Sequence, residues 1–205
     1  MIFAFTGNGN VTKGARELFE LLPHEYITPQ ELPRVRDEVE KGVRSDRKVY
    51  GVCVGLEDMV RLRGKGSNTD STDSGGSTAN ADNAEYTANK IDKSHYYANP
   101  ELYESIFPAN IAPYVSVIVN GIYWDYRYPR LLTKNQLLKI RSQGNYNLKV
   151  VADISCDVSG SFEFLSHTTP IERPFYTYLP ESDVDVEGAS KLGVLMLGTY
   201  VHRLA

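Results

Sequence analysis

MIFAFTGNGNVTKGAR, residues 1–16, decides how the fold is read. Residues 2–5 are a short apolar run that stops at Thr6 and gives way to Gly7-Asn8-Gly9-Asn10. An amphipathic helix pattern follows, with Val11, Ala15, Leu18, Phe19 and Leu22 at helical spacings. Buried strand, glycine turn and helix are the opening of a βαβ unit. Such a turn lets the backbone come close to a pyrophosphate, and the helix N-terminus offers it free N–H groups and a positive dipole end. Gly7 and Gly9 fit the G-x-G-x-x-G fingerprint, whereas Thr12 stands at its third glycine. A lone G-x-G also occurs in plain βα turns, so its weight comes from the strand before it and the helix after it. The phosphate loop G-x-x-x-x-G-K-[ST] is excluded, because Ala15-Arg16 follows Gly14. Asn10-Val11-Thr12 has the form of a glycosylation acceptor but sits inside the glycine turn.

A length of 205 residues suffices for a full core, and the sequence is read as one domain over 1–205. A net charge of -4 gives no basic footprint, so nucleic acid is not an expected partner. No run of eighteen apolar residues is present, so no membrane span is expected. The two cysteines, Cys53 and Cys156, fall in or beside apolar strand segments and suit reduced thiols in an intracellular compartment.

Residues 24–28 read as a second strand. A dinucleotide fold places an acid for the ribose 2′-hydroxyl at such a strand end. This chain has Thr28 there, with Glu31 slightly late, which favours NADP (NADPH) as cofactor and makes NAD less favoured. Arg34, Arg36, Arg44, Arg47 and Lys48 follow as phosphate partners or as a solvated charged loop. Residues 49–55 form a third strand. Residues 64–89 are almost all Gly, Ser, Thr, Asn and Asp, and are read as a disordered insertion.

Order is expected to resume at Tyr96-Tyr97-Ala98-Asn99-Pro100, with a short helix around 101–107. The apolar run 115–122 is a strand ending in Asn120-Gly121, and 133–142 is a helix with Thr133 as N-cap. Residues 149–154 form another buried strand, with a polar exit over 153–163. Shorter strands are expected at 175–179 and 193–197. Apolar strand runs alternating with helices predict an α/β, doubly wound, mostly parallel Rossmann-like sheet covered on both faces.

Three strand ends gather polar groups: 7–11, 120–123 and 153–157. Asp153 and Asp157 are the paired carboxylates of interest. A carboxylate near a nicotinamide orients substrate or relays protons, while capping a turn is its ordinary structural role. The four histidines have no metal-ligand spacing to Cys, Asp or Glu, so neither a metal nor a histidine triad is expected. Trp124, Tyr123, Tyr126 and Tyr128 read as packing.

FTGNGNVTKGA, VNGIYWDYRYPRLLT, DISCDVSGSFEF, TPIERPF and EGASKLGVLML, taken together, resemble the coenzyme-binding domain of lysine-ketoglutarate reductase. That enzyme is the saccharopine-forming half of bifunctional α-aminoadipic semialdehyde synthase, and is similar to fungal saccharopine dehydrogenase (lysine-forming), alanine dehydrogenase and transhydrogenase. The resemblance implies an oxidoreductase that condenses lysine with 2-oxoglutarate to saccharopine using NADPH. It places Gly7, Gly9, Asn10 and Val11 at the pyrophosphate, and Thr28 where NAD-using relatives carry an acid. Gly121, Ile122 and Tyr123 fall against the adenosine-side ribose and nicotinamide, with Asp153 beside the coenzyme. Asp157 matches the catalytic aspartate of D-x-x-x-D-x-G-G, in which Ser159 replaces the first glycine. The family's acid–base lysine and histidine lie in an amino-terminal substrate domain, and its sequence after LGVLMLG differs from residues 199–205. The chain is therefore expected to be a coenzyme domain incomplete at both ends and inactive alone, with its small-molecule substrates held by a further domain; the alternatives are a non-catalytic dinucleotide-binding or regulatory module and a non-functional truncated fragment. Homo-oligomerisation stays open. The compartment implied is mitochondrial for animal relatives and cytoplasmic for plant ones.

Overall fold

The computed structural model describes residues 1–44, 47–64, 91–144 and 146–198. The insertion read at 64–89 lies outside them from residue 65 onward. The chain opens with β1 (Ile2–Thr6), α1 (Asn10–Phe19), β2 (His24–Ile27), α2 (Leu32–Glu40) and β3 (Val49–Val54). Then come α3 (Leu56–Met59), β4 (Val60–Leu62), α4 (Lys93–Ala98), β5 (Tyr103–Ser105) and α5 (Phe107–Asn110). It closes with β6 (Val117–Asn120), α6 (Lys134–Ser142), β7 (Val150–Asp153), β8 (Tyr176–Leu179), β9 (Val184–Glu187) and β10 (Val194–Leu197).

Eight strands form one sheet in the order β2-β3-β1-β6-β7-β10-β8-β9. The first six are mutually parallel, and β8 and β9 close the far edge antiparallel. The expected mostly parallel α/β sheet is thus present. Its winding, however, puts β3 rather than β2 against β1, so β2 is the edge strand. Thr28 therefore lies two strand spacings from β1, about 10 Å across the sheet. The helix expected at 101–107 is replaced by a 3-10 turn over Pro100–Leu102, then β5, then α5. Pro100 and Pro108 at the starts of those turns interrupt a continuous helix. β5 pairs with β4 in a separate hairpin, which tethers the far side of the insertion to the body.

The two sheet faces are covered unequally. One face presents Ala4, Val52, Ile118, Val151 and Met196 to a single buried cluster. Leu32 and Val35 of α2, Phe107 of α5 and Leu137 and Ile140 of α6 join it. The other face carries α1. There Phe19 is 5% exposed and meets the rings of Phe3 (5.3 Å) and Phe5 (5.1 Å). Beyond α1 on that face Val119, Val150, Ala152, Leu195 and Leu197 are only half-buried. Among the described residues the sheet is therefore covered fully on one face and in part on the other, short of the expectation. The apolar positions of α1 also divide. Thr12 and Phe19 are buried, while Val11 and Leu18 are 48% and 70% exposed; Leu22 falls beyond the end of α1 and is 48% exposed.

Gly51 of β3 is what lets α1 sit so close. A Cβ there would fall 2.8 Å from Phe19 and 2.9 Å from Tyr26. Phe19 is held by four neighbouring rings, so it cannot swing aside cheaply. Gly51→Ala is expected to destabilise the protein by about 1–3 kcal/mol in urea unfolding. An unchanged midpoint would show that Phe19 is loosely held.

Candidate functional site

The glycine turn follows directly from β1. Gly7 has φ +84°, a conformation glycine adopts freely, and its N–H donates to the Val54 carbonyl at 3.0 Å. A Cβ on Gly7 would fall 2.9 Å from Ile122 Cγ2, and one on Gly121 would fall 2.5 Å from Thr12 Oγ1. The β1 and β6 exits are therefore packed against each other with no room to spare. Gly9 differs. It has ordinary backbone angles and nothing within 4 Å of where its Cβ would be. It is also the N-cap of α1, and no side chain caps that helix. The first-turn N–H groups are left for solvent or an anion.

A cavity of about 250 Å³ opens beside this turn. Gly7, Asn8 and Gly9 line it, with Gly121, Ile122 and Tyr123 from the β6 exit. Leu56, Met59 and Val60 come from the segment after β3, and Lys93, Tyr96 and Tyr97 from α4. Trp124 and Tyr128 complete an aromatic wall. Tyr96 is buried, crosses Tyr103 at 5.0 Å and 90°, and lies 5.4 Å from Tyr128. Asp125 anchors the 123–128 loop by accepting from the Arg127 N–H and guanidinium and from the Tyr123 hydroxyl. The Arg127 guanidinium holds its carboxyl down to about 2. Trp124 Nε1–H is buried without a partner among the described residues.

Beneath the cavity three strand ends are joined by hydrogen bonds. Thr6 Oγ1 donates to Asn120 Oδ1 at 2.6 Å. Asn120 Nδ2 donates to Asp153 Oδ1 at 2.9 Å and to Ser161 Oγ at 3.1 Å. Ser155 adds its N–H and hydroxyl to the same Asp153 oxygen. Thr12 Oγ1 donates to the Thr6 carbonyl at 2.9 Å, tying α1 into the set. Asp153 is 1% exposed and its Oδ2 has no partner among the described residues. Burial pushes its carboxyl pKa up, against the pull of the Ser155 and Asn120 donors.

The residues singled out in the sequence are only partly gathered. Gly7, Gly9, Gly121, Ile122 and Tyr123 line the cavity together. Asn10 and Val11 open α1 beside it, both exposed. Asp153 does not line the cavity; it is buried in the hydrogen-bonded set at the strand ends. Asp157 does not line the cavity. It is half-buried in a turn that its own carbonyl closes by accepting the Gly160 N–H at 2.8 Å, and its charge reaches Asp153. In that turn Ser159 has φ +50°, which explains a glycine at this place in the D-x-x-x-D-x-G-G pattern. Thr28 is remote from the cavity and bonded to Glu31, its N–H and hydroxyl both donating to Oε2. The sequence reading missed Lys93, Tyr96, Tyr97, Leu56 and Met59. Their signal is tertiary, since the β4–β5 hairpin is what carries α4 to the sheet edge.

An open glycine turn at the carboxyl edge of a mostly parallel sheet, beside an aromatic-walled cavity, defines an α/β protein with a candidate ligand site at that edge. No protein-family model matches the chain. It is 36% identical over 216 residues to the alpha-aminoadipic semialdehyde synthase of Arabidopsis thaliana, an alignment covering 100% of this chain and 18% of that protein. It is 33% identical over 209 residues to the mitochondrial alpha-aminoadipic semialdehyde synthase of Bos taurus and 34% to that of Rattus norvegicus, covering 96% of this chain and 20% of each. The resemblance read from the motifs therefore holds: the chain is homologous to a segment of alpha-aminoadipic semialdehyde synthase. It spans about a fifth of the length of these relatives. No described helix is long and apolar enough to cross a membrane.

The Asp153 carboxyl makes a pH prediction. Its folded pKa lies above its unfolded one, so the native state holds the proton longer, and ionisation costs stability as pH rises above about 4. Asp153→Asn removes that titration while keeping an acceptor for Asn120 and Ser155. The variant is expected to gain stability relative to wild type as pH rises from 4 towards 7, read by urea unfolding at each pH. A difference that stays constant with pH would mean the carboxyl is not perturbed.

Proposed function

We propose that this chain is the coenzyme-binding portion of an oxidoreductase of lysine degradation, one that condenses L-lysine with 2-oxoglutarate to saccharopine using NADPH. The observation that carries the reading is the uncapped glycine turn of α1 at the cavity edge, in a chain aligned end to end with a synthase segment. Gly9 leaves space for a pyrophosphate, and the first-turn N–H groups of α1 are donors aimed at it. The cavity volume is below the roughly 300–1,000 Å³ of typical ligand pockets, so it takes part of a dinucleotide and the open sheet edge takes the rest. When bound, the coenzyme supplies the hydride. The chain's own residues bind and orient. The aromatic wall excludes water and offers faces for a planar ring. The Asp157 carboxylate takes no hydrogen bond from a described residue, which leaves it free to orient a substrate ammonium. Turnover is expected only when a substrate-binding domain is supplied alongside.

Titration of the protein with NADPH and NADH, followed by an assay of lysine plus 2-oxoglutarate with and without a separate substrate domain, tests this directly. Coenzyme binding with activity restored on mixing is the expected result; binding of neither coenzyme would refute it. Gly9→Ala is expected to leave the melting temperature unchanged, since its Cβ enters open space. The same methyl crowds the pyrophosphate and should weaken coenzyme binding roughly tenfold or more; equal affinity would remove that turn as the site. In the reconstituted assay Asp157→Asn should lower kcat by about 10²-fold or more with coenzyme affinity unchanged.

A further inference from the structure

The cations that follow the second strand are committed elsewhere. Arg34 pairs with Glu31 at 2.7 Å and Glu38 at 2.9 Å. Arg36 pairs with Glu40 and donates to the Pro113 carbonyl. Arg44 holds Glu25 and Glu38, and Lys48 holds Glu25. None of these lines the cavity. Among the described residues of the lining there is one cation, Lys93, and no carboxylate. Lys93 is exposed and makes no ion pair with a described acid. The adjacent Asp92 is turned to its own helix, accepting from the Ser94 and His95 N–H groups. An ammonium with no described acid in the same lining makes that part of the cavity attractive to an anion.

Which anion follows from the side of the sheet. A dinucleotide crosses the strand ends with its pyrophosphate at the first glycine turn and its adenosine ribose over the strand beside β1. In this winding that strand is β3, and the segment after it contributes Leu56, Met59 and Val60 to the same cavity as Lys93. The pyrophosphate already has the turn at Gly9 and the N-terminus of α1. The carboxylates at the end of β3 lie outside the cavity lining. Asp58 accepts the Gly55 N–H at 2.8 Å, and Glu57 folds over Gly55 outside the lining. Resting on the dinucleotide reading above, we infer that Lys93 binds the ribose 2′-phosphate that separates NADPH from NADH. Lysine serves as a point-charge phosphate ligand, and its position on α4 puts coenzyme choice on the far side of the insertion, not at Thr28.

The test titrates wild type, Lys93→Gln and Lys93→Arg with NADPH, NADH and adenosine 2′,5′-bisphosphate. Lys93→Gln is expected to weaken NADPH and the bisphosphate by about ten- to a hundredfold and NADH by no more than about twofold. Lys93→Arg should retain most NADPH binding, and the exposed site predicts unchanged melting temperatures for both variants. Equal weakening of NADPH and NADH, or no weakening of either, overturns the assignment. Wild type that binds neither dinucleotide removes the underlying reading and this one with it. Wild type that binds NADPH, with Lys93→Gln indistinguishable from it, removes this one alone.

Discussion

The hydrogen bond from Thr6 to Asn120 is the constraint on which the site depends. It joins the ends of the two central strands, and Asn120 passes the link on to Asp153 at the end of the third. All three side chains are essentially without solvent contact. A buried amide of this kind needs its donors and acceptor matched, and here the matching fixes the heights of three strand exits at once. The glycine turn, the Gly121–Ile122 corner and the polar exit of β7 all start from those heights. Thr12, bonded to the Thr6 carbonyl, sets the first turn of α1 against the same frame. The close approach of Gly7 to Ile122 and of Gly121 to Thr12 is then possible without a lining residue moving.

Much of the fold was legible because buried parallel strands announce themselves as apolar runs. β1, β3, β6, β7 and β10 all fall within runs read from the sequence, and Thr133 caps α6 as expected, accepting the Gln136 N–H. Strand order was not legible. An apolar run says that a strand is covered on both sides but carries no label for its neighbour, so the adjacency of β3 to β1 came only from tertiary structure. Thr28 illustrates that gap: it follows β2, which pairs with β3 and not with β1.

The candidate site divides in the same way. Its glycine half lies within one continuous segment and has a local signature. Its aromatic half is assembled from α4 and the loop after β6, separated in sequence and each unremarkable alone. Tyrosines of that kind are more often packing, and Tyr96 does pack, against Tyr103 and Tyr128. It lines a cavity as well, a distinction set by what faces it rather than by its spacing. The helix stripe was legible only as a periodicity. Phe19 went inward, while Val11, Leu18 and Leu22 were left outward, because Gly51 gives a large ring somewhere to sit.

The central position of β1 has a consequence for how the chain acquires its structure. Ile2 pairs with Tyr50, and Thr6 bonds to Asn120, 114 positions downstream. During synthesis β1 precedes both of its neighbours, and residues 65–90 must pass before the second arrives. Loop closure over such distances is entropically costly and makes folding slow. Until residue 120 has appeared, the backbone edge of β1 that pairs with β6 has no partner.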